Sequence, residues 1–250
     1  MREVRRLSVV LAMVAAMSLS AAPAALGDAH LPTCLGIDLG DPMFEGGNII
    51  LGTDGKDVLV GTDGFDVIIA GEGDDIIRAL GGDDLMAGCG GDDLIFGGDG
   101  NDGILGDDLA FFGDPNAVGG NDRIHGGSGN DEILAGPGND IVHGDAGDDS
   151  LFLAQGNDQG YGGSGDDFII GGLGDDSVFG QAGADTLFGG PHSDHINGGP
   201  GDDFIGGDTP AFFPPPPDVD LPPGDDVCQG AAGTDTSLGC EANLSIEEEL

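Results

Sequence analysis

The sequence contains very little positive charge. Its 250 residues include 6 Lys and Arg against 47 Asp and Glu, which gives a formal net charge of −41. Because almost nothing basic is left to neutralise phosphates, nucleic acids are excluded as partners. Three of the six basic residues, Arg2, Arg5 and Arg6, lie at the N-terminus. A compact fold with such one-sided charge repels itself unless something neutralises it, so we expect cations as partners.

The motifs of several enzyme classes are also missing. The chain has no HExxH zinc motif and no GxxxxGK[ST] phosphate loop. Gly-Gly-Ser-Gly at 126–129 and 162–165 is followed by Asn130 or Asp166 instead of Gly, so it is not a nucleophile elbow. The segment His192–His195 contains the residue types of a hydrolase triad, but adjacent side chains point apart. We predict that the protein is not an enzyme, and that these histidines are at most an adventitious transition-metal site.

The apolar run near the N-terminus is too short to span a bilayer comfortably. Leu7 to Leu19 follows a basic segment and precedes small residues. This pattern is typical of a secretory signal peptide, with candidate cleavage signals at 22–24 and 25–27. An uncleaved membrane helix is the alternative. We predict a signal peptide over residues 1–27, no membrane span, and a mature protein that is secreted.

The chain is rich in glycine, with 52 Gly and 14 Pro. Without periodicity this composition would indicate a disordered chain. Residues 162–188, however, consist of three consecutive nonapeptides, GGSGDDFII, GGLGDDSVF and GQAGADTLF. Each has a small residue first, Gly fourth, Asp sixth and an apolar residue eighth. The sequence therefore predicts a repeat protein.

The nonapeptide frame extends over most of the chain. Six units fill 52–105 and ten fill 117–206. The lead-in before them ends in a degenerate unit with Asn48 in place of the aspartate, as expected of a cap. A proline run in the second interruption cannot belong to a central strand. The predicted segments are a signal peptide at 1–27, an N-terminal cap at 28–51, a repeat domain at 52–206 with a loop at 106–116, a Pro-rich loop at 207–220, and two last repeats with a C-terminal cap at 221–250.

Each position of the repeat has a physical role. Position six is Asp in all eighteen units, position four is Gly except at His192, and position eight is aliphatic in the first sixteen units except at Gly160. The Gly-rich half predicts a turn, and the apolar triplet predicts a strand of about three residues. Position eight should point inward while positions seven and nine point outward. Two units would then form one coil of a parallel solenoid.

Stacked coils bring aspartates together. Successive carboxylates in one column would lie roughly 5 Å apart, the spacing of neighbouring strands. Each adjacent pair costs about 3 kcal/mol at an effective dielectric of about 20. About a dozen such pairs exceed the net stability of an ordinary domain, roughly 5–15 kcal/mol. The columns therefore require cations. Carboxylates with turn carbonyls form an all-oxygen site, which suits Ca²⁺ better than Mg²⁺.

The units at 126–134, 162–170 and 198–206 match the pattern GGxGxDxUx in every fixed position. In this the chain resembles the RTX, or hemolysin-type, calcium-binding nonapeptide-repeat family. The resemblance implies an all-β fold, namely a right-handed parallel β-roll with two repeats per coil. If each ion bridges units n and n+2, the two blocks hold roughly twelve Ca²⁺ ions. The implied ligands are turn carbonyls and the sixth-position aspartates Asp57, Asp66, Asp75, Asp84, Asp93, Asp102, Asp122, Asp131, Asp140, Asp149, Asp158, Asp167, Asp176, Asp185, Asp194 and Asp203.

Some units depart from this pattern. The first two units have Thr53 and Thr62 at position two. The unit 153–161 begins with Leu153 and has Gly160 where the inward aliphatic residue should be, so we predict that it forms the weakest coil. His192 replaces a turn glycine, and we expect altered binding there.

Four cysteines in an exported chain indicate disulfides, with three possible pairings. We favour Cys34 with Cys89 and Cys228 with Cys240, each closing one end of the roll. A cysteine metal site is the alternative, although the chain has no CxxC pair.

The sequence thus predicts a secreted calcium-binding protein that folds when it binds calcium. Its expected role is structural or in cell-surface interaction, with an extracellular protein or glycan as partner. An alternative is a non-catalytic module related to RTX proteases, lipases and hemolysins, because residues 28–51 are too few for a catalytic domain. An ice-binding surface is a third class, disfavoured because the outward residues are mixed.

Overall fold

The computed structural model describes residues 47–107, 119–207, 227–230, 236–238 and 242–243. The predicted signal peptide, most of the N-terminal cap and most of both interruptions lie outside these residues. Within them the chain is an all-β parallel solenoid without a helix. A membrane-crossing helix, long and apolar enough to span a bilayer, is therefore not found in the described part of the chain.

Twenty strands follow one another along the described chain. Most strands correspond to the apolar triplet of a nonapeptide, and many extend into the next turn. Their bounds are β1 Asn48–Leu51, β2 Val58–Val60, β3 Asp66–Glu72, β4 Ile76–Gly81, β5 Leu85–Gly90, β6 Leu94–Asp99, β7 Gly103–Asp107, β8 Arg123–Ser128, β9 Glu132–Pro137, β10 Ile141–Ala146, β11 Ser150–Gln155, β12 Gln159–Ser164, β13 Phe168–Leu173, β14 Ser177–Ala182, β15 Thr186–Phe188, β16 His195–Asn197, β17 Phe204–Gly206, β18 Val227–Gln229, β19 Thr236–Leu238 and β20 Ala242–Asn243.

The strands form two parallel sheets of ten strands each. The odd sheet contains β1, β3 and every second strand to β19, and the even sheet contains β2, β4 and every second strand to β20. Paired residues in successive strands, such as Leu151 and Ile169, are 18 positions apart, which is the length of two nonapeptides. Across the first interruption the step is longer, as between Ile104 and Ile133. The stack therefore continues past the interruption in the same register.

The turns depend on glycine where successive coils approach closely. Gly165, at position four, has a φ of 129°, in the left-handed region that favours glycine. A Cβ at Gly165 would collide with the carbonyl oxygen of Gly147 in the preceding coil. At Gly165, glycine is therefore required by both backbone conformation and space.

The core lies between the two sheets and is one continuous cluster. It is formed mainly by the position-eight side chains, which are fully or almost fully buried, as predicted. The expectation that unit 153–161 forms the weakest coil is not supported by its packing. Leu153 turns inward and is completely buried, and a Cβ added at Gly160 would lie 2.9 Å from its Cδ1. Leu153 therefore fills the space that Gly160 leaves empty.

The outer face of the odd sheet differs from the expectation in its N-terminal half. The repeat pattern predicts that residues at positions seven and nine point outward, away from the core. A second apolar cluster nevertheless buries several of them, including Val67 and Leu105, which are 1% and 0% exposed. This part of the sheet is therefore covered on both faces.

Cys89 in β5 and Cys228 in β18 are each disulfide-bonded. Cys34 and Cys240 lie outside the described residues. The pairing of the four cysteines, and the disulfide caps at the ends of the roll, therefore stay predictions.

Candidate metal sites

Sixth-position aspartates line the interior edge of both turns. Of the sixteen predicted ligands, all except the half-buried Asp57 are at most 2% exposed. Each follows a Gly-rich turn and immediately precedes or begins a strand, so the turn aims its carboxylate into the stack. The solenoid therefore assembles the predicted residues into two columns, one along each edge.

From Asp75 onward, one oxygen of each of these carboxylates accepts a backbone hydrogen bond from the neighbouring coil. The backbone N–H of Asp149 donates to Oδ1 of Asp167 at 2.9 Å, and the N–H of Asp167 donates to Oδ1 of Asp185 at 2.9 Å. The same bond recurs from Asp57, whose N–H donates to Asp75 Oδ1 at 2.7 Å. These bonds fix the orientation of the carboxylates and link each coil to the next.

In twelve of these carboxylates the other oxygen, Oδ2, is buried and receives no hydrogen bond from the described part of the chain. A buried anion of this kind is costly unless it is paired or coordinates a metal. The residues that share this feature are Asp75, Asp84, Asp93, Asp102, Asp122, Asp131, Asp140, Asp149, Asp158, Asp167, Asp176 and Asp185.

Backbone oxygens approach the same place. A Cβ added at Gly171, the first residue of its unit, would lie 2.5 Å from Oδ2 of Asp176. It would also lie 2.6 Å from the carbonyl oxygen of Gly189 in the next coil of the column. A carboxylate oxygen and a carbonyl oxygen from consecutive coils thus meet beside one α-carbon. Glycine at position one keeps this space open, and the oxygens there are the hard donors that Ca²⁺ prefers.

The carboxylates are destabilised as anions in this environment. Burial raises the pKa of Asp158 to about 9, with further upward contributions from the charges of Asp176 and Asp140. Burial likewise raises the pKa of Asp131 to about 8 and that of Asp84 to about 6. The hydrogen bond from the preceding coil opposes the rise but does not cancel it. The site therefore favours either protonation or a bound cation.

Asp57 and Asp66 are held differently. The hydroxyl of Thr53 donates to Oδ2 of Asp57 at 2.8 Å, and the backbone N–H of Thr53 donates to the same oxygen at 2.7 Å. Thr62 makes the equivalent bonds to Oδ2 of Asp66 at 3.1 and 2.6 Å. In these two units Oδ2, which lacks a donor in the twelve aspartates named above, accepts hydrogen bonds from its own turn.

A second, exposed series of hydrogen bonds runs along position five, and the repeat pattern did not predict it. The N–H of Asp166 donates to Oδ1 of Asp148 at 3.0 Å, and Oδ1 of Asp166 accepts the N–H of Ala184 at 2.8 Å. These bonds run in the opposite direction along the solenoid to those of position six. The frequent Asp or Asn at position five was the available signal.

Asp107 was also missed, because the sequence placed it in the first interruption. It ends β7 and is 4% exposed. Its two carboxylate oxygens accept the N–H of Gly120 at 3.1 and 3.2 Å. Burial, and then the charge of Asp122, raises its pKa to about 9. The interruption thus adds a buried carboxylate beside one column.

The fold and the site together define a parallel β-solenoid with rows of buried oxygen donors. The model of the family described as RTX calcium-binding nonapeptide repeat (4 copies) matches residues 51–86, 81–108, 116–151, 154–187 and 170–205. These matches cover more than half of the chain, so the protein belongs to the RTX calcium-binding nonapeptide-repeat family. RTX repeats imply calcium binding, and the buried aspartates fit it. A search of the curated proteins found no match.

Proposed function

We propose that the protein is a secreted calcium-binding protein that folds into a right-handed β-roll, with two repeats per coil, when calcium binds. The observation that carries this proposal is the row of buried aspartates whose Oδ2 atoms face no donor. A divalent cation between coils neutralises the carboxylates and uses the oxygens that the hydrogen bonds leave over.

The proposed ligands are the carboxylates from Asp75 onward together with the carbonyl oxygens of the glycine turns. A bound calcium ion supplies the positive charge that holds two coils of one column together. The chain provides roughly a dozen such positions. At each of them the carboxylate and carbonyl oxygens would contribute to the 6–8 oxygens that a calcium ion requires. Asp57 and Asp66 are weaker candidates because threonine already occupies their second oxygen.

The coupling to folding follows from the charges. In an unfolded chain the carboxylates are separate and fully hydrated, whereas the folded columns bring them together inside the protein. The binding free energy of calcium therefore becomes folding free energy. A protein of this kind stays unfolded where calcium is scarce and folds where it reaches millimolar concentration, as outside the cell.

We further propose a structural or cell-surface interaction role, with disulfide caps at both ends of the roll. The predicted signal peptide and the disulfide-bonded Cys89 and Cys228 support export, because disulfides persist in oxidising compartments. The proposed activity is binding and not catalysis. Hydrolysis of casein or tributyrin by the purified protein would overturn that part of the proposal.

Far-UV circular dichroism of the full mature chain during a calcium titration tests the central proposal. We expect β structure to appear cooperatively with Ca²⁺ and to appear only weakly with an equal concentration of Mg²⁺, which binds flexible oxygen sites poorly. Excess EDTA should reverse the change. A chain with the same β content in EDTA and in calcium at neutral pH would refute the proposal.

A further inference from the structure

Two histidines lie side by side on the outer face of the even sheet. His125 in β8 and His143 in β10 are directly paired in the register of the two strands. Their rings are stacked with centroids 4.5 Å apart and an interplanar angle of 1°. Both occupy position nine of their units, which points away from the core and from the aspartate columns.

The pair is fixed by aromatic neighbours along the same row. Phe96 stacks on His125 with ring centroids 5.4 Å apart, and Tyr161 stacks on His143 with centroids 4.6 Å apart. The two imidazole rings are therefore held nearly parallel to each other. The His125 side chain is 37% exposed.

A carboxylate stands beside the pair. Asp145 Oδ2 lies 3.1 Å from His125 Nδ1, and its side chain is 43% exposed. Asp145 occupies position two of its unit, and its partners in the adjacent strands are Gly127 and Gly163. Because these glycines have no side chains, the carboxylate has room to lean over the histidines.

We propose that His125, His143 and Asp145 form a surface site for a divalent first-row transition metal, with Zn²⁺ as its representative. Their three ligand atoms all lie within 4.8 Å of one another. Ligand atoms around a tetrahedral zinc are about 3.3 Å apart, given Zn–N distances of about 2.0–2.1 Å. Small rotations of three partly exposed side chains close this difference.

The chemistry of the donors distinguishes this site from the calcium columns. Imidazole nitrogen suits zinc, copper and nickel, whereas calcium takes oxygen ligands. Two imidazoles and one carboxylate leave at least one coordination position for water, as in open three-ligand zinc sites. Neutral imidazole is the dominant form of an ordinary histidine above pH 7, so the lone pairs are available.

Isothermal titration of the calcium-loaded protein with ZnCl₂ tests the proposal. Excess calcium keeps zinc off the acidic columns. We expect one zinc per chain, and at least about tenfold weaker binding in His143→Gln and in Asp145→Asn. Unchanged zinc affinity in both variants would overturn the proposal, and so would loss of zinc binding when more calcium is added.

Matched controls separate the site from general effects. His195→Gln removes another exposed histidine of the even sheet, and Asp148→Asn removes an exposed carboxylate three residues from Asp145. Neither should change zinc binding, and an effect as large as that of His143→Gln would overturn the site. Calcium-induced circular dichroism should be the same in all variants. A long-range ¹H–¹⁵N spectrum of the unmodified protein should show zinc shifting the ring nitrogens of His125 and His143. Shifts only at other histidines would contradict the assignment.

Discussion

The first two nonapeptides and the long run that follows use the same aspartate in different ways. In the first two units, a threonine at position two donates its hydroxyl and its backbone N–H to the aspartate Oδ2. In the units from Asp75 to Asp185, represented by Asp167, that oxygen is buried and has no hydrogen-bond donor in the described part of the chain. The sixth position is constant in the sequence, but its chemistry is not.

The backbone of the turn explains the difference. In the later units whose position two the structure describes, this residue lies in the left-handed region, as at Gly163 with a φ of 119° and Gln181 with a φ of 77°. A β-branched residue is a true outlier there. Thr53 and Thr62 do not adopt a positive φ, and their turns close onto the aspartate instead. The residue at position two thus decides whether the carboxylate locks its own turn or faces the next coil.

The largest expected effect comes from removing one open carboxylate. Asp167→Asn keeps the Oδ1 that accepts the N–H of Asp149 but replaces Oδ2 with an amide NH₂ group, whose nitrogen has no lone pair to offer calcium. We expect the calcium concentration needed for folding to rise by about tenfold or more, because adjacent coils share each ion in the proposed site. A circular dichroism titration measures this shift.

The adjacent residue provides the control for that variant. Asp166 is exposed, belongs to the same turn and carries the same charge. Asp166→Asn retains the oxygen that accepts the N–H of Ala184. Its titration should overlay that of the unmodified protein. If the two variants shift equally, net charge and not ligation drives the calcium response.

A smaller effect is expected from filling the space beside a first-position glycine. A Cβ at Gly171 would stand between Asp176 Oδ2 and the Gly189 carbonyl oxygen, 2.5 and 2.6 Å away. Gly171→Ala should destabilise the calcium-loaded protein by about 1–3 kcal/mol. Urea unfolding in calcium measures the free energy.

Gly55 is the matched control for this substitution. A Cβ there meets nothing within 4 Å. Gly55→Ala should leave the free energy of unfolding nearly unchanged. If both variants lose the same free energy of unfolding, the cause is the backbone preference of alanine relative to glycine, and not crowding of the oxygens.

The fold was predictable from the sequence because its period repeats so often. Nine-residue spacing with an aliphatic residue at position eight predicted the parallel stack and the core, and the structure confirms both. The buried aspartates were predictable for the same reason. These features depend on local geometry that every unit repeats.

Features that depend on particular neighbours were not predictable. The inward turn of Leu153 depends on the empty space at Gly160 in its own unit. The burial of Val67 depends on the second apolar cluster on the outer face of the odd sheet. The threonine bonds arise only in the two units that carry Thr at position two. A periodic pattern describes the average unit, whereas these contacts arise where units differ.

A separate prediction concerns pH in the absence of calcium. Burial raises the pKa of Asp93 to about 8 and that of Asp185 to about 6, above the ordinary value of 3.8. Between the ordinary value of 3.8 and these raised values, the folded chain therefore binds more protons than the unfolded chain, and its stability falls as pH rises. In EDTA, β content should be greatest near pH 4 and should be lost as pH rises through about 6 to 8.

Salt distinguishes buried from exposed charges in this experiment. At about 1 M salt the Debye length is about 3 Å, so repulsion between exposed carboxylates is largely screened. The pH dependence should persist in high salt because the responsible carboxylates are buried. A profile that becomes flat in salt would assign the effect to surface charge.

The most direct test of the account is a crystal structure of the protein grown in calcium, with anomalous scattering used to locate the ions. We expect ions between consecutive coils beside the Oδ2 atoms from Asp75 to Asp185, and lower occupancy beside the threonine-bound Oδ2 atoms of Asp57 and Asp66. Ions at Asp57 and Asp66 at equal occupancy, or columns without ions, would contradict the account.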